Sequence, residues 1–288
     1  MNRERIAADC ICCGGSDLNR SSAVLMPFVA KRVFGHEPVE ITAEWGLRDL
    51  QPGMAYSLCN SLQCTGCGAL FLDLRFSDRE LAALYAGYRD EEYTRLREHF
   101  EPGYRELSAF FGERSGYIAR IEEFLRPLVA PHPALLDWGG DTGINTPLRL
   151  SARSVHIYDI SDQPCIAGTQ AVDLATLRQS SYDLIICSQV LEHIPYPLEL
   201  LTEIASVMGQ GSLLYLEVPY EGLMQTEPDS RELHRSKRHW HEHVNFFSEA
   251  ALRSLVQRAG LSPVQLETID ISLDWRNSCV FSLLCRLS

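Results

Sequence analysis

Two short cysteine elements constrain the fold of this chain more than any other part of its sequence. Residues 10–14 and 64–68 each carry two cysteines three positions apart, followed directly by glycine. Such a pair places two thiolates on one tight turn, and two turns of this kind make a tetrahedral zinc site without an open position, so the metal is structural. The predicted zinc ligands are Cys10, Cys13, Cys64 and Cys67.

Two alternatives to this ligand set stay open. The segment between the pairs, residues 14–63, is longer than the roughly 15–20 residues of a compact zinc ribbon, and a redox-active pair is the rival interpretation. Cys12 or Cys59 could also replace one of the four ligands. We expect a small zinc-ribbon-like module over residues 1–75.

Composition limits the partners of the chain. The formal net charge of −12 repels phosphate backbones and anionic headgroups, so we expect neither nucleic acid nor membrane as a partner. The first residues lack an apolar leader, and no stretch approaches the roughly 18 apolar residues of a membrane span. We therefore expect a cytoplasmic protein, in which ten cysteines are not a disulfide framework.

A helical connector is predicted after the cysteine module. Ser77 is followed three residues later by Glu80, which is the pattern of a capping box at a helix start. A second amphipathic stretch runs over residues 114–126. These two segments predict a connector over residues 76–130.

The rest of the chain, residues 131–288, alternates strand-like and helical segments. A buried strand over residues 134–137 runs into a glycine turn, and helical segments such as residues 198–208 separate the later strands. The further strand-like runs are residues 155–158, 184–187 and 213–218. This order predicts a doubly wound, Rossmann-like α/β sheet that binds its ligand at the carboxyl ends of the strands.

The first glycine turn favours one cofactor class. Asp159 closes the second strand about 20 residues beyond Gly139, where a carboxylate can accept both hydroxyls of an adenosine ribose. The dinucleotide fingerprint requires glycine at position 141, whereas this chain has Asp141. A carboxylate repels a pyrophosphate and tolerates a cationic amino acid, so the charge favours S-adenosylmethionine (SAM) over NAD.

Four ordered motifs, at residues 136–143, 158–159, 182–186 and 190–193, resemble those of the class I SAM-dependent methyltransferases. The resemblance covers residues 134–288, departs at Asp141, and implies a seven-stranded sheet that ends in an antiparallel hairpin. It places Asp173 and Leu174 beside the adenine and Gln189 towards the transferred methyl group. The cofactor-binding residues that it implies are Asp137, Gly139, Gly143, Asp159, Asp173, Leu174 and Gln189.

A histidine-rich segment, residues 237–248, is the densest titratable stretch and follows the fifth strand of this domain. Histidine titrates near neutral pH, and a neighbouring carboxylate can fix its tautomer, which suits removal of a proton from a methyl acceptor. The predicted catalytic residues are His241, Glu242 and His243. Two alternatives are a metal held by the alternating His239, His241 and His243, and a surface loop whose histidines pair with carboxylates.

The whole layout is similar to the zinc-containing sugar C-methyltransferases that act on nucleotide-linked keto-deoxysugars. In that resemblance His243 corresponds to the base or acid and Glu242 to a substrate-binding residue. It departs at Trp240, where those enzymes have a catalytic tyrosine, so a hydroxyl or carboxyl acceptor stays open. The predicted function is methylation of a small molecule, a sugar or sugar nucleotide of surface glycan or secondary metabolism. The alternatives are a zinc-dependent binding or scaffold protein with a degenerate SAM pocket, and an NAD-dependent oxidoreductase.

Overall fold

The structure is a computed structural model that describes residues 3–45, 53–55, 58–106, 115–161, 163–227, 230–273 and 276–288. The strands in chain order are β1 (Leu18–Leu25), β2 (Val39–Ile41), β3 (Gly53–Ala55), β4 (Leu58–Cys64), β5 (Leu70–Leu72), β6 (Ala134–Trp138), β7 (Ser154–Tyr158), β8 (Gln170–Ala171), β9 (Leu184–Ser188), β10 (Leu213–Tyr220), β11 (His239–Trp240), β12 (Asn245–Phe246), β13 (Leu261–Leu273) and β14 (Arg276–Leu287). The helices are α1 (Pro27–Phe34), α2 (Asp78–Tyr85), α3 (Glu91–Phe100), α4 (Ile118–Leu125), α5 (Leu174–Gln179), α6 (Pro197–Ser206), α7 (Gly222–Thr226), α8 (Leu233–Ser236) and α9 (Glu249–Arg258), with a 3₁₀ turn at Ala43–Trp45.

The larger sheet has seven strands in the order β13-β14-β10-β9-β6-β7-β8. The strands from β8 to β10 pair in parallel, whereas β14 runs antiparallel to both β10 and β13. The prediction of a seven-stranded α/β sheet with a C-terminal antiparallel hairpin is confirmed. After β8 the chain returns to the other side of β6, so the crevice for a ligand lies beyond the carboxyl ends of β6 and β9.

The apolar runs that predicted these strands form the core of the sheet. Each residue of β6 is buried, and the first four residues of β9 are buried as well. Continuous burial is expected for parallel strands that helices cover on both faces. The polar residues of the predicted site lie at or near the carboxyl ends of these strands.

A second sheet of five strands has the order β11-β1-β4-β5-β12. β1, β4 and β5 come from the cysteine-bearing part of the chain, whereas β11 and β12 come from the histidine-rich segment. β11 pairs in parallel with β1, and β12 pairs antiparallel with β5. The histidine-rich segment is thus held by the sheet that the N-terminal part of the chain builds.

Two buried side chains fasten this second sheet. Trp240 is fully buried, and its indole N–H donates to Ser61 Oγ at 2.8 Å. The buried Arg75 guanidinium donates to the Pro195 carbonyl at 2.8 Å and to Asn245 Oδ1 at 3.1 Å. Burial lowers the pKa of Arg75 to about 10, which leaves it charged at neutral pH. Arg75 therefore links the N-terminal part of the chain to the loop that follows β9.

The predicted helices are found with small shifts of their ends. Ser77 Oγ accepts from the Glu80 N–H and the Glu80 carboxylate accepts from the Ser77 N–H, so the capping box is confirmed. The stretch predicted over residues 114–126 contains α4, while its first residue lies outside the described ranges. In the described part of the chain, no helix combines the length and apolarity needed to cross a bilayer.

Replacement of Trp240 by alanine is expected to lower the free energy of unfolding by about 3–5 kcal/mol, because it removes a fully buried aromatic ring and leaves Ser61 without its donor. Leu58→Ala is the control: Leu58 lies on β4 of the same sheet and is 77% exposed, so its loss should change stability by no more than about 0.5 kcal/mol. Urea denaturation measures both. Equal effects of the two substitutions would contradict this account of the sheet.

Candidate functional site

Asp137, the first predicted cofactor residue, lies near the end of β6, just before the glycine turn. Its side chain is buried, and the Thr146 hydroxyl donates to its Oδ2 at 2.5 Å. Burial raises the pKa of Asp137 to about 7, with Asp159 and Glu217 adding to the effect. A cationic group that entered the turn would be attracted to this carboxyl and would favour its ionised form.

Glycine is required in this turn because neighbouring side chains lie too close to leave room for a Cβ atom. Gly139 has φ +83°, and a Cβ there would lie 2.5 Å from Val190 Cγ2. A Cβ on Gly140 would lie 2.6 Å from the Asp137 carboxyl carbon. Gly143 has φ +82°, so it also adopts a conformation that favours glycine. The turn is therefore tight, with the predicted residues Gly139 and Gly143 at two of its left-handed positions.

Asp159, directly after β7, lies against the same turn. Its carboxylate accepts from the backbone N–H of Asp141 at 2.8 Å and from that of Ser161 at 2.7 Å. A carboxylate has about four lone-pair sites, so these two bonds leave room for further donors. The arrangement fits the predicted binding of ribose hydroxyls, which stays a prediction.

The other predicted cofactor residues have partners of their own within the fold. Asp173 is exposed and caps α5, where its Oδ1 accepts from the Thr176 N–H at 2.8 Å, and this contact lowers its pKa. Leu174 is the first residue of α5 and is half-buried. Gln189 follows β9 with φ +56°, and its amide donates to Glu217 at 3.0 Å. Gln189 is thus at the predicted strand end, but its side chain is tied to a neighbour.

Glu217 is a buried carboxylate that sequence reasoning missed. Besides the Gln189 amide, it accepts hydrogen bonds from Ser188 at 2.8 Å, Tyr117 at 3.0 Å and Tyr215 at 2.6 Å. A charged residue inside the otherwise apolar run of β10 was the available signal. With four donors around it, Glu217 fixes the conformation of the chain after β9.

The three alternating histidines do not converge. The alternation requires an extended segment throughout, but β11 ends at Trp240 and the following residues are irregular. His239 is exposed, while the His241 ring hydrogen-bonds to Glu101 and stacks on Phe28 at 6.3 Å. Among the described residues, neither His239 nor His241 belongs to a group close enough to hold a metal ion. The hypothesis of a metal held by these histidines is wrong.

Glu242 is paired with a guanidinium of α3. Its carboxylate forms a bidentate pair with the Arg97 guanidinium, at 2.9 Å for each bond. Burial would raise the pKa of Glu242, but Arg97 and His241 outweigh it and lower the pKa to about 2. Glu242 therefore stays ionised and paired across the physiological range.

His243 lies in a cluster with residues from three other segments. Its Nδ1 is 2.7 Å from Glu221 Oε1, and its ring meets the His193 ring edge-on, with centroids 4.6 Å apart. Burial opposes protonation of His243, but its hydrogen bond with Glu221 raises its pKa overall. The side chain is 34% exposed, so an acceptor can reach it.

His193 and Glu192 complete this cluster. The Tyr85 hydroxyl is 2.8 Å from His193 Nδ1, and the Glu242 carbonyl oxygen is 3.2 Å from the same nitrogen. Burial lowers the pKa of His193 to about 3 and raises that of Glu192 to about 8, so both are neutral at pH 7. Sequence reasoning gave Glu192 and His193 no catalytic role, and nothing local showed that they would face His243.

The four predicted zinc ligands come together. Cys10 Sγ is 3.5 Å from Cys67 Sγ, Cys13 Sγ is 3.5 Å from Cys64 Sγ, and all four sulfurs lie within 4.8 Å of one another. Zn–S bonds of about 2.3 Å in a tetrahedron give S···S separations of about 3.8 Å, so the donor set fits zinc. Cys12 and Cys59 are buried and do not belong to this group of four.

Gly139→Ala is expected to lower the free energy of unfolding by at least about 1–2 kcal/mol, because alanine is strained at φ +83° and its Cβ would meet Val190. Gly211→Ala is the control, since a Cβ there meets nothing within 4 Å. In a double-mutant cycle, Val190→Ala should recover part of the loss at position 139. Absence of coupling between positions 139 and 190 would contradict the close approach described for the turn.

Comparison with known proteins assigns this chain to a family. The model of a family described as a methyltransferase domain matches residues 110–266, which is more than half of the 288 residues. A search of curated proteins finds no match.

Solved structures with a similar fold include three methyltransferases. A SAM-dependent methyltransferase of Methanosarcina mazei is 14% identical with a TM-score of 0.44, and the match covers 57% of this chain and 96% of that one. Magnesium protoporphyrin IX methyltransferase of Synechocystis is 20% identical with a TM-score of 0.39, covering 59% and 82%. A Burkholderia thailandensis 1,6-didemethyltoxoflavin-N1-methyltransferase is 14% identical with a TM-score of 0.49, covering 78% and 97%. On the match to the family model, the chain belongs to the methyltransferase domain family and is a SAM-dependent methyltransferase.

Proposed function

We propose that this methyltransferase methylates a carbon next to a carbonyl group in a sugar or sugar nucleotide. The observation that carries the proposal is the contact between two proton-handling pairs, His243–Glu221 and Tyr85–His193, beside the strand ends where the cofactor is expected. Methylation at such a carbon needs one group that removes a proton and another that binds the oxygen on which charge develops. The two pairs can supply these roles.

His243 is the proposed base. Glu221 accepts the Nδ1–H of His243, which leaves Nε2 with its lone pair available. The negative charge of Glu221 also makes the imidazole more basic. SAM would supply the electrophilic methyl group and leave as S-adenosylhomocysteine, while His243 would hold the proton taken from the acceptor carbon.

Tyr85 is the proposed donor to the carbonyl oxygen of the acceptor. A carbonyl only accepts, so His193 Nδ1–H can donate to the Glu242 carbonyl oxygen and to the Tyr85 oxygen together. The Tyr85 hydroxyl hydrogen is then available to the acceptor. Burial raises the pKa of Tyr85, so the hydroxyl keeps its proton.

Tyr85 could take the role of the catalytic tyrosine that the sugar C-methyltransferases have at the position of Trp240. The indole of Trp240 is buried and donates to Ser61, so this side chain serves the core rather than the acceptor. In the sugar C-methyltransferase resemblance a catalytic tyrosine stands at that position. Here the phenol that contacts His193 comes from α2 instead.

Glu242 and His241 are proposed to position the segment that bears His243. Glu242 is bound by Arg97 of α3, and His241 is bound by Glu101 directly after that helix. Both side chains therefore anchor the segment to one helix of the connector. Neither is needed for proton transfer in this proposal.

We also propose that zinc occupies the cysteine cluster and acts structurally. Four sulfur donors fill a tetrahedral coordination sphere, so no position is left for a substrate or water. The two turns are alike, because Gly14 N–H donates to the Cys10 carbonyl at 2.9 Å and Gly68 N–H donates to the Cys64 carbonyl at 3.0 Å. Such similar turns favour a shared metal over a redox pair.

His243→Ala is expected to reduce kcat by a factor of about 10²–10⁴, because the base is lost, while SAM affinity stays within about threefold of the parent. Turnover of nucleotide-linked keto-deoxysugars with labelled SAM, together with calorimetric titration of SAM, measures both quantities. Undiminished turnover would show that another group removes the proton.

Glu221→Gln should move the acidic limb of the kcat/KM profile to lower pH. Glu221 raises the pKa of His243, so its neutralisation lets His243 lose its proton at lower pH and also makes it a weaker base. The maximal rate should therefore fall as the limb shifts. Glu227→Gln, at an exposed residue of the same segment, should leave the profile unchanged. An acidic limb that did not move in the Glu221 variant would contradict the pairing.

Purified protein should contain about one zinc ion per chain, and Cys64→Ser should lose it together with a lowered Tm. The control is Cys59→Ser, which changes a buried thiol outside the cluster and should keep the zinc. Elemental analysis and thermal denaturation provide the readouts. Retention of zinc by the Cys64 variant would exclude the proposed ligand set.

A further inference from the structure

Asp141, which stands where the dinucleotide fingerprint has glycine, forms an ion pair with Arg89 from the connection between α2 and α3. Asp141 Oδ2 lies 3.0 Å from Arg89 Nη1, and the two side chains are each about one quarter exposed. We propose that Asp141 and Arg89 together bind the zwitterionic amino acid group of SAM, Asp141 at the α-ammonium and Arg89 at the α-carboxylate. The inference rests on the SAM assignment and names residues of that site.

The backbone of the turn places Asp141 for this role. Asp141 has φ +52°, a left-handed conformation that glycine adopts more easily, and its N–H is held by Asp159 at 2.8 Å. The turn therefore keeps the shape that a glycine would give it while adding a carboxylate. Ser161 Oγ lies 3.5 Å from Asp141 Oδ1, so the second oxygen also faces the segment after β7.

Carboxyl groups around the turn favour a cationic group of the ligand. Asp137, Asp141 and Asp159 all lie at the turn, so the α-ammonium of SAM would meet carboxyl groups on several sides. The α-carboxylate of SAM would meet the same groups and be repelled by them. Arg89 is the guanidinium that the structure brings into contact with this turn, and guanidinium binds a carboxylate through two parallel hydrogen bonds.

Contacts within the protein hold Arg89 close to the turn. The Tyr88 carbonyl accepts from the Gln163 amide at 2.9 Å, so the chain next to Arg89 is bound to the segment that follows Asp159. The guanidinium carbon lies 4.8 Å from the centre of the Tyr88 ring. Arg89 itself has a left-handed backbone with φ +62° and lies in the short connection between α2 and α3. This pre-organisation limits the entropy lost on binding.

Insertion of the amino acid group would replace one ion pair with two. In the structure Arg89 and Asp141 neutralise each other, and a zwitterion placed between them keeps each charge next to an opposite one. The exchange therefore costs little desolvation beyond that of the ligand. It also gives the site a preference for a cofactor whose amino acid group is intact.

Titration of three adenosine ligands against matched variants tests the inference. The ligands are S-adenosylhomocysteine, which has the whole amino acid group, decarboxylated SAM, which lacks the carboxylate, and 5′-methylthioadenosine, which lacks both charges. The variants are Arg89→Met, Asp141→Asn, which removes the charge and tolerates the left-handed backbone, and the control Arg95→Met on the exposed side of α3. Thermal denaturation first verifies that each variant is folded.

Arg89→Met should weaken S-adenosylhomocysteine binding by about 10- to 100-fold and leave decarboxylated SAM within about threefold, because only the former has the carboxylate. Asp141→Asn should weaken both of these ligands. Methylthioadenosine should bind all variants alike, and Arg95→Met should bind every ligand as the parent does.

Two results would overturn the inference. Equal losses for S-adenosylhomocysteine and methylthioadenosine would show that Arg89 and Asp141 only shape the turn, and unchanged affinities would show that they do not contact the ligand. Failure of the parent protein to bind S-adenosylhomocysteine is a separate outcome, which would overturn the SAM assignment itself and this inference with it.

Discussion

The structure depends on backbone pairing between the histidine-rich segment and two distant parts of the chain. On one side, Met26 N–H donates to the Trp240 carbonyl at 2.8 Å, and Leu72 N–H donates to the Val244 carbonyl at 2.9 Å. On the other side, Val244 N–H donates to the Glu192 carbonyl at 2.7 Å. The segment is therefore clamped between the N-terminal sheet and the loop after β9, and this is what brings His243 opposite His193.

The cysteine cluster is connected to the same construction. Ser248, which caps α9, hydrogen-bonds to the Cys67 carbonyl, and the Arg258 guanidinium at the end of that helix donates to the Cys12 carbonyl at 2.8 Å. Both cysteine turns thus contact the helix that follows the histidine-rich segment. A metal in the cluster would therefore stabilise the position of α9 and of the histidine-rich segment before it. The metal itself would take no part in the proposed chemistry.

Sequence patterns predicted the features that depend on residues close together in the chain. Apolar runs predicted β6, β9 and β10 because both faces of these strands are buried, and the serine cap of α2 follows from hydrogen bonds within one helical turn. The cysteine spacing predicted the cluster because each pair lies on a single turn.

The remaining features depend on contacts between residues far apart in the chain. β11 and β12 have two residues each, too few to show a periodicity, and their partners lie in the N-terminal part of the chain. Likewise, no local pattern pairs Arg89 with Asp141 or Tyr85 with His193. The alternating histidines misled for the same reason, because tertiary pairing ends the strand before His241.

The central claim is that the base and the phenol act on a carbon beside a carbonyl. The most direct measurement is the nuclear magnetic resonance spectrum of the product formed from SAM labelled with ¹³C in its methyl group and a series of nucleotide-linked keto-deoxysugars. The account predicts a product whose labelled methyl is bonded to the carbon next to the keto group. A labelled methyl bonded to oxygen or nitrogen in the product would contradict it.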